Sequence, residues 1–524
     1  MESAMSNLDK RKKIIIFSGV LITMFLSAMD TTIVGTIMPK IVAELSGFNN
    51  YSWVFSIYML AVVLSLSIFG KFSDIYGRKY FCFAGIVIFV TGSALCALSA
   101  NMESLIIFRA IQGIGGGLLA GILPTIVGDL FSPAERPKYQ GFLGGVYGLA
   151  TIIGPIVGGL LTDAFSWRLS FYINIPIGLI AVIIILIFLP NTKTSLDKKP
   201  VDIFGGIVLV VLIVLLLATL SLAGDQFAWA NPVIIGSFIL FVLLLVIFIY
   251  AERKSKEPIL PMYLFGNTIF NVSMIAGLVM GMIMYASTLF LPLFAQGVMG
   301  YGVAETGIIM FPLTIALVLA NIISGIVVTR TGKYKKVTLA SFILMAVGAL
   351  ILALNCGLQS MLALIVASCL LGAGMGISFP TFMNIAQNAV AYEYLGVASS
   401  STQLSRNLGG IIGISLLTSL MNNSIWGTLQ TKLAGITSEK FNIKELVNIQ
   451  LLLDESRIGK LGNAISGVTN SIPAAIAKDF IQFLRDGLGS ALAIVFYCMT
   501  ASSIIIFIVI LLFLKEIALR KQQF

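Results

Sequence analysis

Long apolar runs recur along almost the whole chain, and short polar segments separate them. Most runs have the length, about 18–25 residues, that an α-helix needs to cross a hydrocarbon core of roughly 30 Å. Membrane barrels would instead need short alternating strands, and the sequence contains no such pattern. The pattern therefore predicts fourteen membrane-spanning helices, at residues 14–36, 51–70, 80–99, 104–127, 140–162, 172–190, 203–223, 232–250, 269–292, 304–328, 337–355, 360–382, 402–422 and 491–514.

Composition agrees with a polytopic membrane protein. Hydrophobic residues make up 58% of the 524 residues and charged residues 11%, and the mean hydropathy is +1.01, whereas soluble domains are about a quarter charged. The five cysteines fall in apolar runs without metal or redox spacing. The chain has no histidine, so any proton path must use carboxylates.

Basic residues fall on alternate sides of the predicted spans, which indicates topology rather than nucleic-acid binding. With the N-terminus inside, the inner segments hold most of them, whereas the outer short loops hold little beyond Lys40 and Arg168. This positive-inside pattern places both termini in the cytoplasm. The inner basic segments are 10–13, 71–79, 136–138, 193–199, 253–256, 330–336 and 515–521.

One long connection, residues 423–490, separates the last two spans and is predicted to lie outside. It contains two amphipathic patterns, at 442–455 and at 472–488, the second with Pro473 at a helix start. We expect a small extracellular helical hairpin. It is either a packing cap or a gate, partner site or substrate vestibule, and the sequence does not separate these roles.

Two inner loops are related by an internal repeat. The segment "GKFSDIYGRK" (70–79) follows span 2, and "GIVVTRTGKY" (325–334) follows span 10. Gly70, Asp74, Gly77 and Arg78 match Gly325, Thr329, Gly332 and Lys333 at the same offsets. Spans 2 and 10 are therefore predicted to be equivalent members of two similar halves, which is a transporter plan.

This repeat divides the chain into five parts. A cytoplasmic N-terminus (1–13) precedes a six-helix bundle (14–190), and a linker (191–268) carries two extra spans. The second six-helix bundle (269–514) includes the insert 423–490, and a cytoplasmic C-terminus (515–524) follows.

Five motifs give the chain a family resemblance over nearly its whole length. The segment 70–79 resembles the cytoplasmic loop signature of the major facilitator superfamily, "RAIQGIGGG" (109–117) its span 4 motif, and "ATIIGPIVGG" (150–159) its exporter-associated span 5 motif. "MDTTIVGTIMPKI" (29–41) and "WRLSFYINIPIG" (167–178) resemble signatures of its fourteen-helix drug/proton antiporters. The resemblance implies an all-α membrane fold of two six-helix bundles with two inserted central helices.

Asp30 is the main candidate for chemistry, because it lies about two-thirds of the way across span 1. A central aspartate costs about 2.5–3.5 kcal/mol on insertion scales, so it must face a cavity or a partner. A group that is protonated when the site is empty and ionised when a cation arrives is a proton/cation exchange site. The alternative is an acid that only helps helices to pack, bonded to Thr31, Thr32 or nearby backbone.

Arg109 and Gln112 lie in span 4 on a face of small residues where a buried cation can meet a carboxylate. The resemblance gives this arginine a role in proton transfer, with Asp30 as its candidate partner. Snorkelling of Arg109 to the outer interface is the alternative. Glu305 and Asp163, near the outer face, are either proton or cation entry groups or interfacial residues.

The segment 70–79 is predicted to be a conformational latch rather than a solvated charged loop. Gly70 and Gly77 permit tight turns and close helix approach, and Asp74 can bind helix-end amides or Arg78, next to Lys79. By resemblance, Asp74 and Arg78 control the switch between inward and outward states. Thr329 replaces the acid in the second copy, which predicts a weaker latch there.

Two other segments are candidates for a hinge and for the wall of a substrate cavity. Gly154, Pro155, Gly158 and Gly159 in span 5 predict a hinge or a tight helix seam. Met-rich "MIAGLVMGMIMYASTLF" (274–290) suits either ordinary packing or a broadly specific cavity. Arg406 in "QLSRNLGGIIG" resembles a family signature and is expected to fix helix position.

These patterns predict a transporter and not an enzyme. We expect a monomer in a bacterial inner membrane that exports lipophilic, often cationic compounds in exchange for protons, using the proton gradient, with no cofactor, metal or nucleic acid. A narrow exporter of one metabolite, lipid or antibiotic and a non-transporting receptor of the same fold are the alternatives.

Overall fold

The computed structural model describes residues 8–45, 51–190, 202–223, 227, 229–255, 258, 260–301, 303–433 and 474–514. Fifteen α-helices account for nearly all of these residues. They are α1 (Lys10–Leu45), α2 (Tyr51–Tyr76), α3 (Arg78–Ala97), α4 (Met102–Leu130), α5 (Arg136–Ala164), α6 (Trp167–Tyr172), α7 (Asn174–Phe188), α8 (Ile203–Leu222), α9 (Pro232–Lys254), α10 (Thr268–Leu293), α11 (Val303–Thr331), α12 (Tyr334–Leu358), α13 (Met361–Asn388), α14 (Leu395–Leu433) and α15 (Ala474–Phe513).

Long apolar helices confirm a multi-pass membrane protein. Twelve helices in the described part of the chain are long and apolar enough to cross a membrane. Two shorter apolar stretches, Trp53–Leu66 in α2 and Phe204–Leu220 in α8, coincide with predicted spans 2 and 7. The described residues therefore support twelve to fourteen crossings.

The helices form two bundles with separate hydrophobic cores. In the first bundle α2 and α3 pack on α4, and α1 packs on α5 and α7. In the second bundle α10 packs on α14, and α12 packs on α13 and α15. The buried residues in the core of the second bundle lie between 272 and 514. The first bundle has two cores, whose buried residues lie between 16 and 189.

Helices α8 and α9 stand outside both bundles. They pack on each other, and α8 also contacts α2 and α14. Two hydrogen bonds attach this pair to α14: Trp229 Nε1 donates to Ser419 Oγ at 2.7 Å, and Ser415 Oγ donates to the Leu220 carbonyl at 2.7 Å. Because α2 and α14 belong to different bundles, the pair lies beside the seam between them.

Helix α5 joins the bundles through glycines on different parts of its length. Near its start, a Cβ on Gly141 would lie 2.5 Å from the Asn321 carbonyl oxygen of α11. Nearer its end, a Cβ on Gly154 would lie 2.0 Å from Thr32 Oγ1 of α1. The small residues thus let one helix pack on its own bundle and on the other one.

One helix boundary in the latch segment differs from the sequence prediction. The sequence predicts that span 2 ends at residue 70 and that a loop follows, but α2 continues to Tyr76 and the chain breaks only at Gly77, whose φ is 98°. Residues 70–76 contain no residue that forces a helix to end, so hydrogen bonding propagates through them. Gly70 is therefore a helical residue, and the turn in the segment 70–79 lies at Gly77.

The predicted hairpin lies partly outside the described residues. Helix α14 extends to Leu433, and the first amphipathic pattern, 442–455, is not described. The second pattern forms the first part of α15, which starts at Ala474 and runs without a break into the last span. Helical periodicity continues from one segment into the other, so no separate second helix forms.

A polar cluster ties α1 to α6 at one end of the first bundle. Glu44 accepts hydrogen bonds from Trp167 Nε1 at 2.7 Å and from the Arg168 guanidinium. These donors, Arg168 first, hold the pKa of Glu44 below its usual value. The cluster lies at the opposite end of the bundle from Gly77.

Candidate functional site

Asp30 is buried at the centre of a polar cluster between α1, α4 and α7. Its side chain is 1% exposed, and Arg109 is 0% exposed. Arg109 Nη1 donates to Asp30 Oδ2 at 2.7 Å. Gln112 Nε2 and Asn174 Nδ2 donate to Oδ1 at 2.7 and 2.9 Å. The structure therefore brings Asp30, Arg109 and Gln112 together, and the burial of Arg109 excludes its snorkelling to an interface.

Neighbouring side chains hold this cluster in place. Asn174 Nδ2 also contacts Ser93 Oγ at 2.9 Å, and the Arg109 guanidinium lies 4.0 Å above the Tyr58 ring. A Cβ on Gly113 would lie 2.6 Å from the Tyr58 carbonyl oxygen, so glycine lets α4 approach α2 closely enough for this contact. The small face predicted in span 4 thus serves the packing that positions Arg109.

The charges in this cluster are balanced pairwise. A buried ion pair is tolerated where the geometry is good and further hydrogen bonds satisfy the remaining atoms. Asp30 meets this condition, since both of its oxygens accept hydrogen bonds. Arg109 Nη2, by contrast, has no hydrogen-bond partner in the described part of the chain. Loss of the charge on Asp30 would leave a fully buried guanidinium without a counter-ion.

The latch segment joins the two bundles at the end that carries Gly77, hereafter the latch end. Asp74 is 2% exposed and accepts hydrogen bonds from the backbone N–H groups of Gly396 and Val397, both at 3.1 Å. These amides open α14, where the helix dipole favours a negative charge. Asp74 also forms an ion pair with Arg78.

Arg78 extends this contact into its own bundle. Its Nε donates to Asp129 Oδ2 of α4 at 3.0 Å, and its Nη1 donates to Ser73 Oγ at 3.1 Å. Lys79 follows as the second residue of α3 and is partly exposed. The latch is therefore a chain of charges that runs from α4 through Arg78 and Asp74 to the start of α14.

The second copy of the repeat makes the equivalent contact. Gly332 has a positive φ of 67°, as Gly77 has one of 98°. Thr329 Oγ1 accepts a hydrogen bond at 3.0 Å from the backbone N–H of Lys138, in the first turn of α5. Each copy thus presents a side-chain acceptor to the first turn of a helix in the other bundle.

The bundles contact each other chiefly at the latch end. Besides the two latches, Gln387 Nε2 donates to the Pro124 carbonyl at 3.2 Å, and α5 packs on α11 between 137–148 and 317–329. These contacts close the latch end of the described structure.

The span 5 motif lines the first bundle beside Asp30. A Cβ on Gly154 would meet Thr32 Oγ1, and one on Gly158 would lie 3.2 Å from Ile33 Cγ2, whereas Gly159 has nothing within 4 Å. Helix α5 continues through Pro155. Two of the glycines therefore form the tight seam with α1 that the sequence predicts, while hinge motion stays a prediction.

The structure does not test the two outer acids. Asp163 lies in the last turn of α5 and Glu305 in the first turn of α11, both at the end opposite the latch. Their side chains lie outside the described part of the structure. No group of acids, cysteines and histidines that could hold a metal occurs among the described residues.

Sequence reasoning missed Asn174, Ser93 and Asp129. Asn174 belongs to the quoted segment 167–178, and Asp129 is an acid at the end of an apolar run. The sequence therefore offered a reason to consider both as site residues. Ser93 carried none, because serine is common in membrane helices and its partners are 78 and 81 residues away.

Two helical bundles that meet at one end, with a charged cluster buried inside one of them, are typical of a membrane transporter. The family model described as "Major Facilitator Superfamily" matches residues 20–414. The chain belongs to this family.

Related proteins agree with this family, and a solved structure shares the fold. The chain is 37% identical over 519 residues to the multidrug transporter protein MdtP of Bacillus subtilis (strain 168), covering 98% of this chain and 95% of MdtP. It is 37% identical over 420 residues to multidrug resistance protein 3 of the same organism, covering 80% and 81%. The crystal structure of the human organic anion transporter MFSD10 (TETRAN) aligns with a TM-score of 0.62 at 13% identity, covering 95% and 99%, which shows the shared fold alone.

Proposed function

We propose that the protein exports lipophilic, often cationic, compounds in exchange for protons, by alternating access of its two bundles. The names of the two bacterial relatives, a multidrug transporter and a multidrug resistance protein, support export of many compounds. The buried Asp30–Arg109 pair is the observation that carries proton exchange.

The proposed mechanism depends on whether Asp30 is ionised or protonated. An ionised Asp30 neutralises Arg109 at 2.7 Å, so the cluster carries no net charge. A proton on Asp30 frees the positive charge of Arg109, which disfavours a cationic substrate nearby. Proton uptake and cation release are therefore coupled through one carboxylate, and Asn174 and Gln112 position its other oxygen.

The latch supports alternating access. With both termini in the cytoplasm, the latch end is the cytoplasmic end, and its closure corresponds to an outward-facing state. Opening requires Asp74 to leave the start of α14 and Thr329 to leave Lys138. The switch thus breaks one charge-assisted and one neutral contact.

Several further features belong to this proposal. The chain crosses a bacterial inner membrane fourteen times, acts as a monomer and needs only the proton gradient, without a cofactor. Asp163 and Glu305 serve as proton or cation entry groups at the outer end. The segment 423–490 lies outside the cell.

Transport by purified protein in liposomes tests the proposal. An outward-directed ethidium gradient is expected to drive proton movement through the wild-type protein. Asp30→Asn is expected to lower this proton movement by at least about tenfold, because the amide cannot take up a proton. Glu103→Gln is the matched control, since Glu103 is an exposed acid at the start of α4.

Each result has a clear meaning. Loss of coupled flux in Asp30→Asn alone supports an exchanger with Asp30 in its proton path. Equal flux in wild type and Asp30→Asn removes Asp30 from that path and shifts the role to Glu305 and Asp163. Absence of flux with ethidium and a panel of unrelated drugs contradicts broad drug export.

A further inference from the structure

Every hydrogen bond that the described structure gives the Asp30 carboxylate comes from a donor side chain. Arg109 Nη1 donates to one oxygen at 2.7 Å, and Gln112 Nε2 and Asn174 Nδ2 donate to the other at 2.7 and 2.9 Å. These donors suit an ionised carboxylate, whereas a protonated carboxyl group also needs an acceptor for its own O–H. Asp30 is only 1% exposed, so solvent is not at hand to accept this hydrogen bond. Protonation of Asp30 in this state therefore requires one partner to reverse its hydrogen bond.

Two of these partners cannot reverse. The guanidinium of Arg109 carries donors only. Gln112 has an amide, but its Oε1 already accepts from Arg109 Nη1 at 2.8 Å and from Cys96 Sγ at 3.7 Å. A half-turn of that amide would break both contacts and bring its NH₂ group against the buried guanidinium. Arg109 and Gln112 thus remain donors whether Asp30 is ionised or protonated.

Asn174 lacks this restraint. It is 0% exposed, and its Oδ1 has no hydrogen-bond partner in the described part of the chain. A half-turn of its amide exchanges Oδ1 with Nδ2, so an acceptor takes the place of the donor beside Asp30. The turn costs Oδ1 no existing hydrogen bond and replaces one unpaired buried amide atom by the other.

Ser93 allows the same reversal on the other side of the amide. Its Oγ accepts from Asn174 Nδ2 at 2.9 Å and donates to the Phe171 carbonyl at 2.9 Å. A hydroxyl is both a donor and an acceptor, and its hydrogen rotates between partners. Ser93 can therefore donate to Oδ1 once the amide has turned, so Asp30 and Ser93 each keep a hydrogen bond to Asn174 in both orientations.

We propose that Asn174 is a reversible hydrogen-bond partner of Asp30. It donates to the ionised carboxylate and, after a half-turn of its amide, accepts a hydrogen bond from the protonated acid. The inference rests on the proposed proton exchange at Asp30 and specifies how the same site holds the proton. The proton binds to Asp30 Oδ1, and the amide neither gains nor loses one. Asn174 is therefore a positioning residue that stabilises both protonation states, whereas Arg109 and Gln112 stabilise the ionised one.

Four other ionisable side chains surround this cluster. They are Arg109 of α4, Tyr58 of α2, Cys96 of α3 and Tyr147 of α5. Helix α7, which carries Asn174, contains no ionisable residue. The ordinary pKa values of these four side chains lie above about 8. A carboxylic acid that forms between pH of about 7.5 and about 5, and that is missing in Asp30→Asn, thus reports on Asp30.

Infrared difference spectroscopy of the full-length protein in lipid nanodiscs tests the proposal without a substrate. The asparagines carry ¹³C at the side-chain carbonyl, and spectra at pH of about 7.5 and about 5 are subtracted. In wild type we expect a carboxylic-acid band from Asp30 and a labelled amide band that moves to lower wavenumber, because its carbonyl gains hydrogen bonds. Asp30→Asn is expected to abolish both changes. Asn174→Leu removes the moving band, and the control Asn231→Ser, at the exposed cap of α9, leaves it in place.

The midpoint pH of the Asp30 band distinguishes a reversible partner from a fixed donor. Gln112→Leu removes a hydrogen bond from the ionised state alone and is expected to raise this midpoint by about one to two pH units. Asn174→Leu removes one hydrogen bond from each state, so a rise of about half that size is expected. Thermal unfolding checks that each variant folds. If Asn174→Leu does not fold, Asn174→Ser takes its place, because serine also removes the labelled amide.

The outcomes separate the role of Asn174 from the proposed function. An Asp30 band without movement of the labelled amide overturns the reversible partner, and so does a midpoint rise in Asn174→Leu as large as that in Gln112→Leu. Absence of an Asp30 band down to pH of about 5 overturns it as well, since the site then holds no proton. Ethidium-driven proton flux is measured separately in liposomes. Its absence in wild type overturns the proposed exchange even where the infrared changes occur.

Discussion

At the scale of single residues, Asp74 is the group whose charge decides how firmly the latch end is held. It lies beyond the apolar stretch of α2, and burial raises its pKa from 3.8 to about 6, against the opposing effect of Arg78. An open latch end would return Asp74 to water and to a pKa near its ordinary value. The closed state thus binds a proton more tightly than the open state.

The sign of the pH effect follows from this difference. Between pH 3.8 and about 6 the closed state holds a proton that the open state releases, so closure is favoured as the pH falls through this window. The difference corresponds to about 3 kcal/mol at most. We expect spin-label distances across the latch end to shift toward the closed value as the pH is lowered from about 7.5 to about 5, and Asp74→Asn to remove this shift.

Thr329→Val is the comparison variant for Asp74→Asn. It removes the acceptor for the Lys138 N–H without removing a charge. A neutral hydrogen bond contributes roughly 0.5–1.5 kcal/mol, so Thr329→Val is expected to open the latch end slightly and to keep the wild-type pH dependence. An undiminished pH shift in Asp74→Asn would contradict the assignment of the titrating group.

At the scale of elements, close approach of α5 and α11 holds the bundles together. A Cβ on Gly325 would lie 2.3 Å from the Pro137 carbonyl oxygen and 3.2 Å from Gly141 Cα. Both neighbours are backbone atoms, so no side-chain rotation relieves the overlap. Because the two helices belong to different bundles, separation of the bundles relieves it instead.

Gly325→Ala is therefore expected to open the latch end without unfolding either bundle. Overpacking of this kind costs about 1–3 kcal/mol, which shifts the open population by roughly 5- to 150-fold. The measurement is the rate at which a maleimide labels Ser400→Cys, because Ser400 is 5% exposed and packs near Gly121 of the other bundle.

Gly357→Ala in α12 is the control, since a Cβ there has no neighbour within 4 Å. It is expected to leave the labelling rate unchanged. If Gly325→Ala lowers the unfolding temperature but leaves labelling at the wild-type rate, the contact stabilises the fold and not the closed state.

At the scale of the whole molecule, separate hydrophobic cores predict that each bundle moves as a unit. Contacts within a core are lost only by unfolding, whereas the described contacts between bundles include glycine seams, hydrogen bonds and a smaller apolar cluster between α2, α8 and α14. Access is thus expected to change by rotation of one bundle against the other.

Distances between spin labels test this rigid-body motion. A pair at Tyr80 and Lys333 spans the two bundles at the latch end, and a pair at Tyr80 and Glu103 stays within the first bundle. Addition of ethidium with a proton gradient is expected to change the first distance by several ångströms and to leave the second one alone. Equal changes in both distances would indicate deformation of the bundle.

Much of the candidate site can be predicted from the sequence. A buried acid in an apolar run and an arginine among glycines are both costly in a membrane, and that cost indicates a partner. Asp30 and Arg109 can therefore be paired across 79 residues of chain. Glu305 and Asp163 carry the same kind of signal, and their roles stay predictions.

The sequence by itself determined that the chain crosses a membrane many times, that it has two related halves, and which charged residues stand in the membrane. These properties are local, since run length, composition and motif offsets do not depend on how the helices rotate. Tertiary structure alone decided that Asn174 completes the Asp30 cluster and that Thr329 reaches Lys138. A polar side chain on an apolar helix acquires its partner only when packing fixes which face of the helix meets which neighbour.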